Sequence, residues 1–524
     1  VVIVGGAVNN TIGGSGPGEG NVIGFNGSSG IFIGENGTSG NTVVGNFIGT
    51  NAAGDNLSHG QNGVAVGFEA SGNTIGGAAS GEGNTIGFND DQGVFLFDSA
   101  SDNVVIGNFL GVTADGDPRG NGLNGVLVNR NAANNIIGGS APGEGNTIGF
   151  NNENGISIRD VGTSGNSLFG NFIGTNADGD DLGNGNSGVL VAGAASSNVV
   201  GGAAPGAGNI IGFSNNFAPG VFLFGAAADN DILGNFIGTN AAGENLGNDG
   251  EGISVFDGAS DNTIGGAAAG EGNVIGFNAF NGVFVGGASS TGNRVLGNFI
   301  GADANGNAIG NGLDGVRINS GSSANTIGGA DTGEGNTIGF NDGNGVQLTG
   351  SATSNSVLGN LIGTNAAGDD LGNGNSGVVI AGAALSNVVG GAAPGAGNII
   401  GFSNNFAPGV FLFGAAADND ILGNFIGTNA AGENLGNDGE GISVFDGASD
   451  NTIGGAAAGE GNVIGFNAFN GVFVGGASST GNRVLGNFIG ADANGNAIGN
   501  GFDGVRINFS TSDNTIGGQA AGEG

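Results

Sequence analysis

The side chains best suited to chemistry in this sequence are the carboxylates and amides of a recurring acidic loop. One copy, residues 174–187, reads GTNADGDDLGNGNS. Such loops offer many oxygen ligands, and Ca²⁺ takes about six to eight oxygens in flexible geometry. The predicted calcium ligands are Asp115, Asp117, Asp178, Asp180, Asp181, Asp303, Asn305, Asn307, Asp492, Asn494 and Asn496. The alternative is a hydrophilic turn that binds no ion, since no copy matches an EF-hand loop.

Groups for acid–base catalysis are few. The chain has no Lys or Cys, and its only histidine, His59, lies in a loop that is interpreted as solvated surface. Arg317 and Arg506 occupy the outward middle position of a predicted strand, where they are expected to pair with local acids. Because no non-repeating cluster of Asp, Arg and His is evident, the sequence predicts a protein that is not an enzyme, with no catalytic or organic-cofactor site.

The segments that carry these loops follow an asparagine repeated every 30–32 residues. An aliphatic residue stands two positions after each such Asn, and Gly stands four positions after it. A fixed period of this size is typical of a solenoid in which each copy is one turn. The repeated residue is found at Asn10, Asn41, Asn73, Asn103, Asn135, Asn166, Asn198, Asn230, Asn262, Asn293, Asn325, Asn355, Asn387, Asn419, Asn451, Asn482 and Asn514.

Two further motifs complete each turn, Asn-x-(Ile/Leu)-Gly and Gly-(Val/Ile)-x-aliphatic. All three motifs are short, β-branched and alternating, which is typical of strands. The sequence therefore predicts an all-β solenoid of about 17 coils. Each coil is expected to hold three strands of about three to five residues, stacked about 4.8 Å from the next coil. Ile75, Ile86, Val94 and Leu96 are predicted to face inward, and the Asn amides to form ladders between coils.

The turns alternate in loop type, so the repeating module is a pair of turns of 62–64 residues. Modules begin near residues 10, 73, 135, 198, 262, 325, 387, 451 and 514, and residues 1–524 are interpreted as one continuous array. Residues 199–312 recur unchanged as 388–501. Verbatim duplication adds length and surface rather than one distinctive cleft, which favours a structural or multivalent role.

Composition excludes several classes of partner. The formal charge is −37 at pH 7, so nucleic acid and anionic membrane surfaces are not expected to bind. No apolar run approaches the length of about 18 residues that a membrane-spanning helix needs. Without Cys there are no disulfides. Glycine supplies 125 of 524 residues, yet the aliphatic residues stay in register, which argues against a disordered low-complexity chain.

The pattern NTIGG…GEGNTIGFN…GVFLF…NVVIGNFIGTNAAG resembles right-handed parallel β-helix repeats with asparagine ladders. That fold occurs in pectin-degrading enzymes, phage tailspikes and long repeat arrays of secreted and surface proteins of prokaryotes. The adhesin-like and fibre-like arrays are the most similar in style, and the resemblance covers the whole chain. It implies a right-handed parallel β-helix, whereas function on such a scaffold must be argued from a site.

The outward middle residue of strand three forms a partly apolar stripe that includes Phe32, Phe95, Phe222, Phe411 and Phe473. Such a stripe on an acidic, Gly-rich solenoid is a candidate contact surface. A second Phe row follows the second Asn of alternate turns, with Phe47 and Phe109 as examples, and the alternative interpretation is that loops fold over it.

Together these features predict an extracellular or cell-surface repeat protein that acts as a fibre, stalk or adhesin-like spacer. The alternative is a carbohydrate-binding or carbohydrate-cleaving, pectate-lyase-like β-helix. The expected partners are other copies of the chain, end to end or side by side, and carbohydrate or cell-surface ligands. The sequence starts and stops within a turn, so either further repeats or end-to-end stacking is expected to cover the strand edges.

Overall fold

The computed structural model describes residues 1–518, 521–522 and 524 and divides the chain into two compact units, Val1–Ser254 and Val255–Gly524. In each unit the chain winds as a right-handed parallel β-helix with three strands per turn and three parallel sheets. The described residues contain no α-helix, and none of them forms a helix able to cross a membrane. The all-β prediction with three strands per turn is therefore confirmed.

Sheet 1 is built from the strands that follow the asparagine opening each turn. Its middle residues point inward and stack on one another, as Ile75 does on Val105, and both are fully buried. In the first unit the strands are Thr11–Gly13, Thr42–Val44, Thr74–Gly76, Val104–Ile106, Ile136–Gly138, Ser167–Phe169, Val199–Gly201 and Asp231–Leu233. In the second unit they are Thr263–Gly265, Arg294–Leu296, Thr326–Gly328, Ser356–Leu358, Val388–Gly390, Asp420–Leu422, Thr452–Gly454, Arg483–Leu485 and Thr515–Ile516.

Sheet 2 consists of strands of only two residues, shorter than predicted. Each is followed by a glycine, and several of these, such as Gly49 at φ 76°, are left-handed and turn the chain out of the strand. In the first unit the strands are Val22–Ile23, Phe47–Ile48, Thr85–Ile86, Phe109–Leu110, Thr147–Ile148, Phe172–Ile173, Ile210–Ile211 and Phe236–Ile237. In the second unit they are Val274–Ile275, Phe299–Ile300, Thr337–Ile338, Leu361–Ile362, Ile399–Ile400, Phe425–Ile426, Val463–Ile464 and Phe488–Ile489.

Sheet 3 has the longest strands, and its outward face carries the predicted stripe. The first unit contains Val2–Ile3, Ile31–Gly34, Val64–Gly67, Val94–Leu96, Val126–Val128, Ile156–Arg159, Val189–Ala192 and Val221–Phe224, and Ile253–Phe256 follows at the boundary. The second unit contains Val283–Gly286, Val316–Ile318, Val346–Leu348, Val378–Ala381, Val410–Phe413, Ile442–Phe445, Val472–Gly475 and Val505–Ile507. Ile86, Val94 and Leu96 are fully buried, as predicted.

Asparagine ladders connect successive turns. Asn73 donates from its backbone N and from Nδ2 to Oδ1 of Asn103, both at 3.0 Å. A second ladder runs before sheet 2, where Asn84 makes the same pair of bonds to Asn108 at 3.2 and 2.9 Å. These side chains are buried, so the ladders satisfy polar groups that would otherwise be costly in the core.

A third ladder, which the sequence pattern did not predict, lies between sheets 2 and 3. Nδ2 of Asn89 donates to Asn121, Asn121 to Asn151 and Asn151 to Asn184, at 2.9, 2.8 and 2.9 Å. The Asn residues of this ladder belong to GFN motifs in odd turns and to the ends of the acidic loops in even turns. Their shared position is evident only when the two loop types are placed in register.

Candidate functional site

An open groove runs along the outward face of sheet 3 in the first unit. Its floor is formed by Phe32, Ala65, Phe95 and Leu127, which pair across successive turns of the sheet. Its volume is about 700 Å³. Because adjacent strands are about 4.8 Å apart, this floor follows the helix axis over four turns. We call it the first groove.

The first groove contains a cluster of four aromatic rings. Phe95 stacks on Phe97 with centroids 4.4 Å apart, and Phe68 meets Phe97 edge-on at 5.2 Å. Phe32 extends the cluster, 6.1 Å from Phe68. Phe68 remains 50% exposed, so its ring is available to a molecule in the groove.

Amide side chains line one wall of the first groove, before sheet 3. Nδ2 of Asn62 donates to Oγ of Ser29 at 3.3 Å, and the backbone N of Gln92 donates to Oδ1 of Asn62 at 3.3 Å. Oε1 of Gln92 in turn accepts two bonds from Asn124 at 2.9 Å. These hydrogen bonds fix the wall before any ligand arrives, which lowers the entropic cost of binding.

The opposite wall is formed by turns that follow sheet 3 in left-handed backbone conformations. Phe68, Arg130 and Asp160 have φ values of 53°, 53° and 81°. The same conformation recurs after sheet 3 in other turns, for example at Glu35 and Asp257. Here the conformation places aromatic and charged side chains along the groove.

Four charged residues line the first groove: Asp91, Arg130, Arg159 and Asp160. They come from three different turns, and only the two arginines lack an equivalent one module away, since Asp98 corresponds to Asp160 and Glu153 to Asp91. Arg130 also pairs with Asp98 at 3.9 Å. The groove therefore combines both acids and bases within one otherwise acidic and repetitive chain.

The same end of the groove contains polar atoms that the described part of the chain leaves unpaired. Nε of Arg159 and Oδ1 of Asn129, two residues that line the first groove, are buried without a hydrogen-bond partner there. Buried polar atoms are nearly always satisfied, so unpaired ones indicate hydrogen-bonding capacity that the fold itself does not use.

The predicted calcium ligands lie in exposed loops, where most of them bond to their own loop. Oδ1 of Asp303 accepts from the backbone N of Asn305 and of Asn307 at 2.9 and 2.8 Å, and Oδ2 accepts from Nδ2 of Asn307 at 2.8 Å. Asp492 makes the same bonds to Asn494 and Asn496. Although slight burial opposes it, these bonds hold the pKa of Asp303 below its usual range.

Other loops reverse the roles of acid and amide. Nδ2 of Asn176 donates to Oδ2 of Asp180 at 2.8 Å, and its Oδ1 accepts from the backbone N of Asp178 and of Asp180. Asp181 accepts from Gly183, and Asp117 lies 3.8 Å from Arg119. Among the described residues no three His, Cys, Asp or Glu side chains form a metal-binding group. Calcium binding by these loops, Asp115 included, stays a prediction.

His59 is not a solvated loop residue; its side chain is fully buried. It occupies the Asn position of the third ladder, two residues after Leu57 as Asn184 is after Leu182. The backbone N of Asn26 donates to Nδ1 of His59 at 3.2 Å, so Nδ1 must be unprotonated. Gly30 makes room for the ring, because a Cβ at that position would collide with Nε2.

The arginines on the stripe pair with local acids, as predicted. Arg317 lies 3.9 Å from Asp314, and Arg506 lies 3.9 Å from Asp503. Burial raises the pKa of Asp314, against hydrogen bonds from Asn344 and the charge of Arg317. In the second Phe row, Phe47 borders a recess lined mainly by glycines of the GGSGPGEG-type loops rather than by the acidic loops.

Comparison with known proteins shows no family for this chain. No protein-family model and no curated protein matches the sequence. A mutant of the periplasmic alginate epimerase AlgG is 11% identical, with a TM-score of 0.34, over 68% of this chain and 72% of the other. The A-module of an Azotobacter vinelandii mannuronan C-5 epimerase is 14% identical, with a TM-score of 0.25, over 94% and 91%.

A third similar structure is the tailspike protein of an E. coli bacteriophage, solved with a hexasaccharide. It is 13% identical, with a TM-score of 0.29, over 93% of this chain and 73% of the other. The prediction that the chain is not an enzyme is wrong on this comparison, because the similar structures include epimerases. The first groove also brings Asp91, Arg130, Arg159 and Asp160 to one surface, a convergence that the sequence did not predict.

Proposed function

We propose that the first groove binds a polysaccharide chain and that the protein is a carbohydrate-active β-helix. The observation that carries this proposal is the open groove in which aromatic rings, fixed amides and a set of acids and arginines lie together. A cleft that runs over several turns suits a polymer better than a compact metabolite, because the polymer continues past both ends.

The chemistry of the lining fits a sugar. A pyranose ring has an apolar face of C–H groups and a rim of hydroxyls. Phe68 and Phe95 offer ring surfaces for the apolar face, since aromatic side chains combine large contact area with defined geometry. Asn62 and Gln92 offer amides for the hydroxyls, and a few placed polar groups in an apolar site are what fixes ligand orientation.

The charged cluster provides the groups that a reaction on the bound chain requires. Asp91 and Asp160 are carboxylates that could act as general acid or base, and Arg130 and Arg159 are cations that could stabilise developing negative charge. Neither role requires a metal or an organic cofactor. We assign no order of steps, because the position of the scissile or reacting bond depends on the sugar.

Replacing Phe68 with Asn is expected to weaken polysaccharide binding about tenfold, as loss of an aromatic anchor does. The free energy of unfolding should change by less than about 1 kcal/mol. Asn adopts left-handed backbone angles more readily than Phe, which offsets the loss of ring contacts. Affinity electrophoresis in gels containing alginate, polygalacturonate, xyloglucan or galactomannan measures the affinity. The matched control is Phe150→Asn, a left-handed Phe (φ 58°) that does not line the groove.

Equal retardation of the two variants, or no retardation of the wild-type protein by any polymer, would disprove binding in the first groove.

Asp160→Asn tests for catalysis separately. We expect turnover of a bound polymer, followed by product NMR, to fall about 100-fold or more while binding is kept, as for loss of a general acid or base. The control is Asp249→Asn, an exposed acid that does not line the first groove. If the wild-type protein binds a polymer but does not transform it, the proposal of catalysis is wrong and the proposal of binding stands.

A carbohydrate target is consistent with the proposed location outside the cytoplasm, where polysaccharides are exposed. Self-association into fibres or stalks is a separate proposal that does not depend on the groove. Sedimentation velocity at increasing protein concentration tests it, and a single monomeric species throughout would reject it.

A further inference from the structure

We infer that the second unit holds a separate binding site for an uncharged glycan, on the outward face of its own sheet 3. The floor of this second groove is formed by Gln347, Val379, Phe411 and Ser443, which pair across successive turns. Its volume is about 530 Å³. The site does not rest on the first groove, because none of its residues belongs to the first unit.

Aromatic rings dominate the second groove. Phe411 stacks on Phe413 at 4.7 Å, and Phe445 stacks on Phe473 at 6.3 Å. Phe406, which also borders the groove, is 75% exposed and lies parallel to Phe469, with centroids 6.3 Å apart and planes within 2°. These are flat apolar surfaces of the kind that the C–H face of a sugar can cover.

Phe406 is held in place by a strained but well-anchored loop. Both Asn405 and Phe406 are left-handed, with φ values of 57° and 59°. Nδ2 of Asn404 donates to the Asn373 carbonyl at 2.9 Å, and Nδ2 of Asn405 donates to the Gly374 carbonyl at 2.6 Å. A bulky ring that is 75% exposed stabilises the fold little, and its surface is free to cover a bound sugar.

The polar groups beside these rings are amides and hydroxyls already fixed by the fold. The backbone N and Nδ2 of Asn344 both donate to Oδ1 of Asp314 at 2.8 Å. Oδ1 of Asn344 accepts from the backbone N of Ser376 at 3.2 Å. Together with Asn375 and Gln347, these residues place hydrogen-bonding groups within reach of sugar hydroxyls.

Charge selects the kind of glycan. Glu440 is the single ionisable residue among those lining the second groove, which contains no cation, whereas the first groove has two arginines. Binding a polyuronate here would place carboxylates beside Glu440, on a chain whose formal charge is −37. Arg317 and Arg506, on the strands next to Gln347 and Phe473, each already pair with an acid of their own turn. Like charges repel and disfavour such a partner. An uncharged glycan avoids this cost and still uses the rings and amides.

The test must change both copies of the duplicated segment, since Phe217 corresponds to Phe406 and is 76% exposed. We expect Phe217→Asn/Phe406→Asn to lower the affinity for xyloglucan or galactomannan at least about tenfold. Phe68→Asn should leave that component of binding in place. The matched control is Phe213→Asn/Phe402→Asn, which changes two left-handed Phe residues outside the second groove.

The affinities are measured by affinity electrophoresis and isothermal titration calorimetry. The probes are these two neutral polymers and polygalacturonate as the anionic polymer. Unchanged affinity for the neutral polymers in the double variant would overturn the inference, as would no binding of either neutral polymer. A polygalacturonate interaction that depends on Phe406 would overturn the charge argument. Sedimentation tests a further outcome. If the wild-type protein is a dimer and the double variant is not, the groove binds a second copy of the chain instead.

Discussion

Replacing Asn108 with Ala is expected to destabilise the first unit by about 3–5 kcal/mol, because several buried hydrogen-bonding groups would lose partners at once. Oδ1 of Asn108 accepts from the backbone N and Nδ2 of Asn84 at 3.2 and 2.9 Å. Its Nδ2 donates to the carbonyls of Ile75 and Ile106 at 2.9 and 3.0 Å and to Oδ1 of Asn146 at 3.0 Å. Alanine can replace none of these bonds.

The loss should be concentrated in the turns next to Asn108, since each turn of a solenoid contacts mainly its neighbours. Urea denaturation measures the free energy of unfolding, and native-state hydrogen exchange locates the loss along the chain. The control is Asn307→Ala, in an exposed loop, where we expect less than about 1 kcal/mol. A larger loss at Asn307 than at Asn108 would show that the loops, and not the ladders, hold the turns together.

Periodicity was sufficient to predict the scaffold because the scaffold is what repeats. Ile75 recurs as an inward aliphatic on each turn, and Asn73 recurs as a ladder asparagine. Each must match the turn before and after it, so the pattern in one turn constrains all the others. Strand length was less predictable, because the left-handed residues just after sheet 2, such as Gly49 and Phe88, reflect backbone angles and not hydrophobic pattern.

The first groove could not be predicted in the same way, because its distinctive residues are those that do not repeat. Asp91, Arg130 and Arg159 are about one turn apart in sequence and converge only when the turns stack. When one turn is compared with the repeat, such residues look like ordinary variation between loops. A useful signal was nevertheless present: Phe68 directly follows a strand of sheet 3, Arg130 stands two residues after one, and both are left-handed.

His59 shows that residue type alone can give the wrong prediction of burial. A single histidine in a polar loop is usually exposed, yet the spacing from Leu57 places it in the third ladder. Burial of the ring lowers the pKa of His59, and the nearby Ile23 backbone only partly offsets this effect. His59 is the only histidine in the chain, so its titration can be assigned without ambiguity.

We expect His59→Asn to stabilise the first unit by about 1–3 kcal/mol, because it completes the third ladder. Nε2 of His59 has no hydrogen bond of normal geometry within the described residues, and Oδ1 of Asn89 likewise has no partner there. An asparagine at this position could donate to Asn89 as Asn121 does to Asn151, at 2.8 Å. It could also accept from the backbone of Asn26, which now bonds to Nδ1 of His59.

The pH dependence of stability gives the sharper test of this residue. The folded state holds His59 neutral and lowers its pKa, so the unfolded chain binds the proton more readily. The stability that depends on neutral His59 is therefore complete above the usual pKa of 6.5 and falls as pH drops from 6.5 toward the lowered folded-state pKa. Protonation would also remove the acceptor on Nδ1 that binds Asn26.

Urea midpoints measured across this range should fall for the wild-type protein and stay flatter for His59→Asn. The reciprocal variant Asn121→His, at the equivalent position of another turn, should acquire the same acid sensitivity. Parallel pH profiles for the wild-type protein and His59→Asn would mean that His59 titrates as an exposed residue and is not part of the ladder.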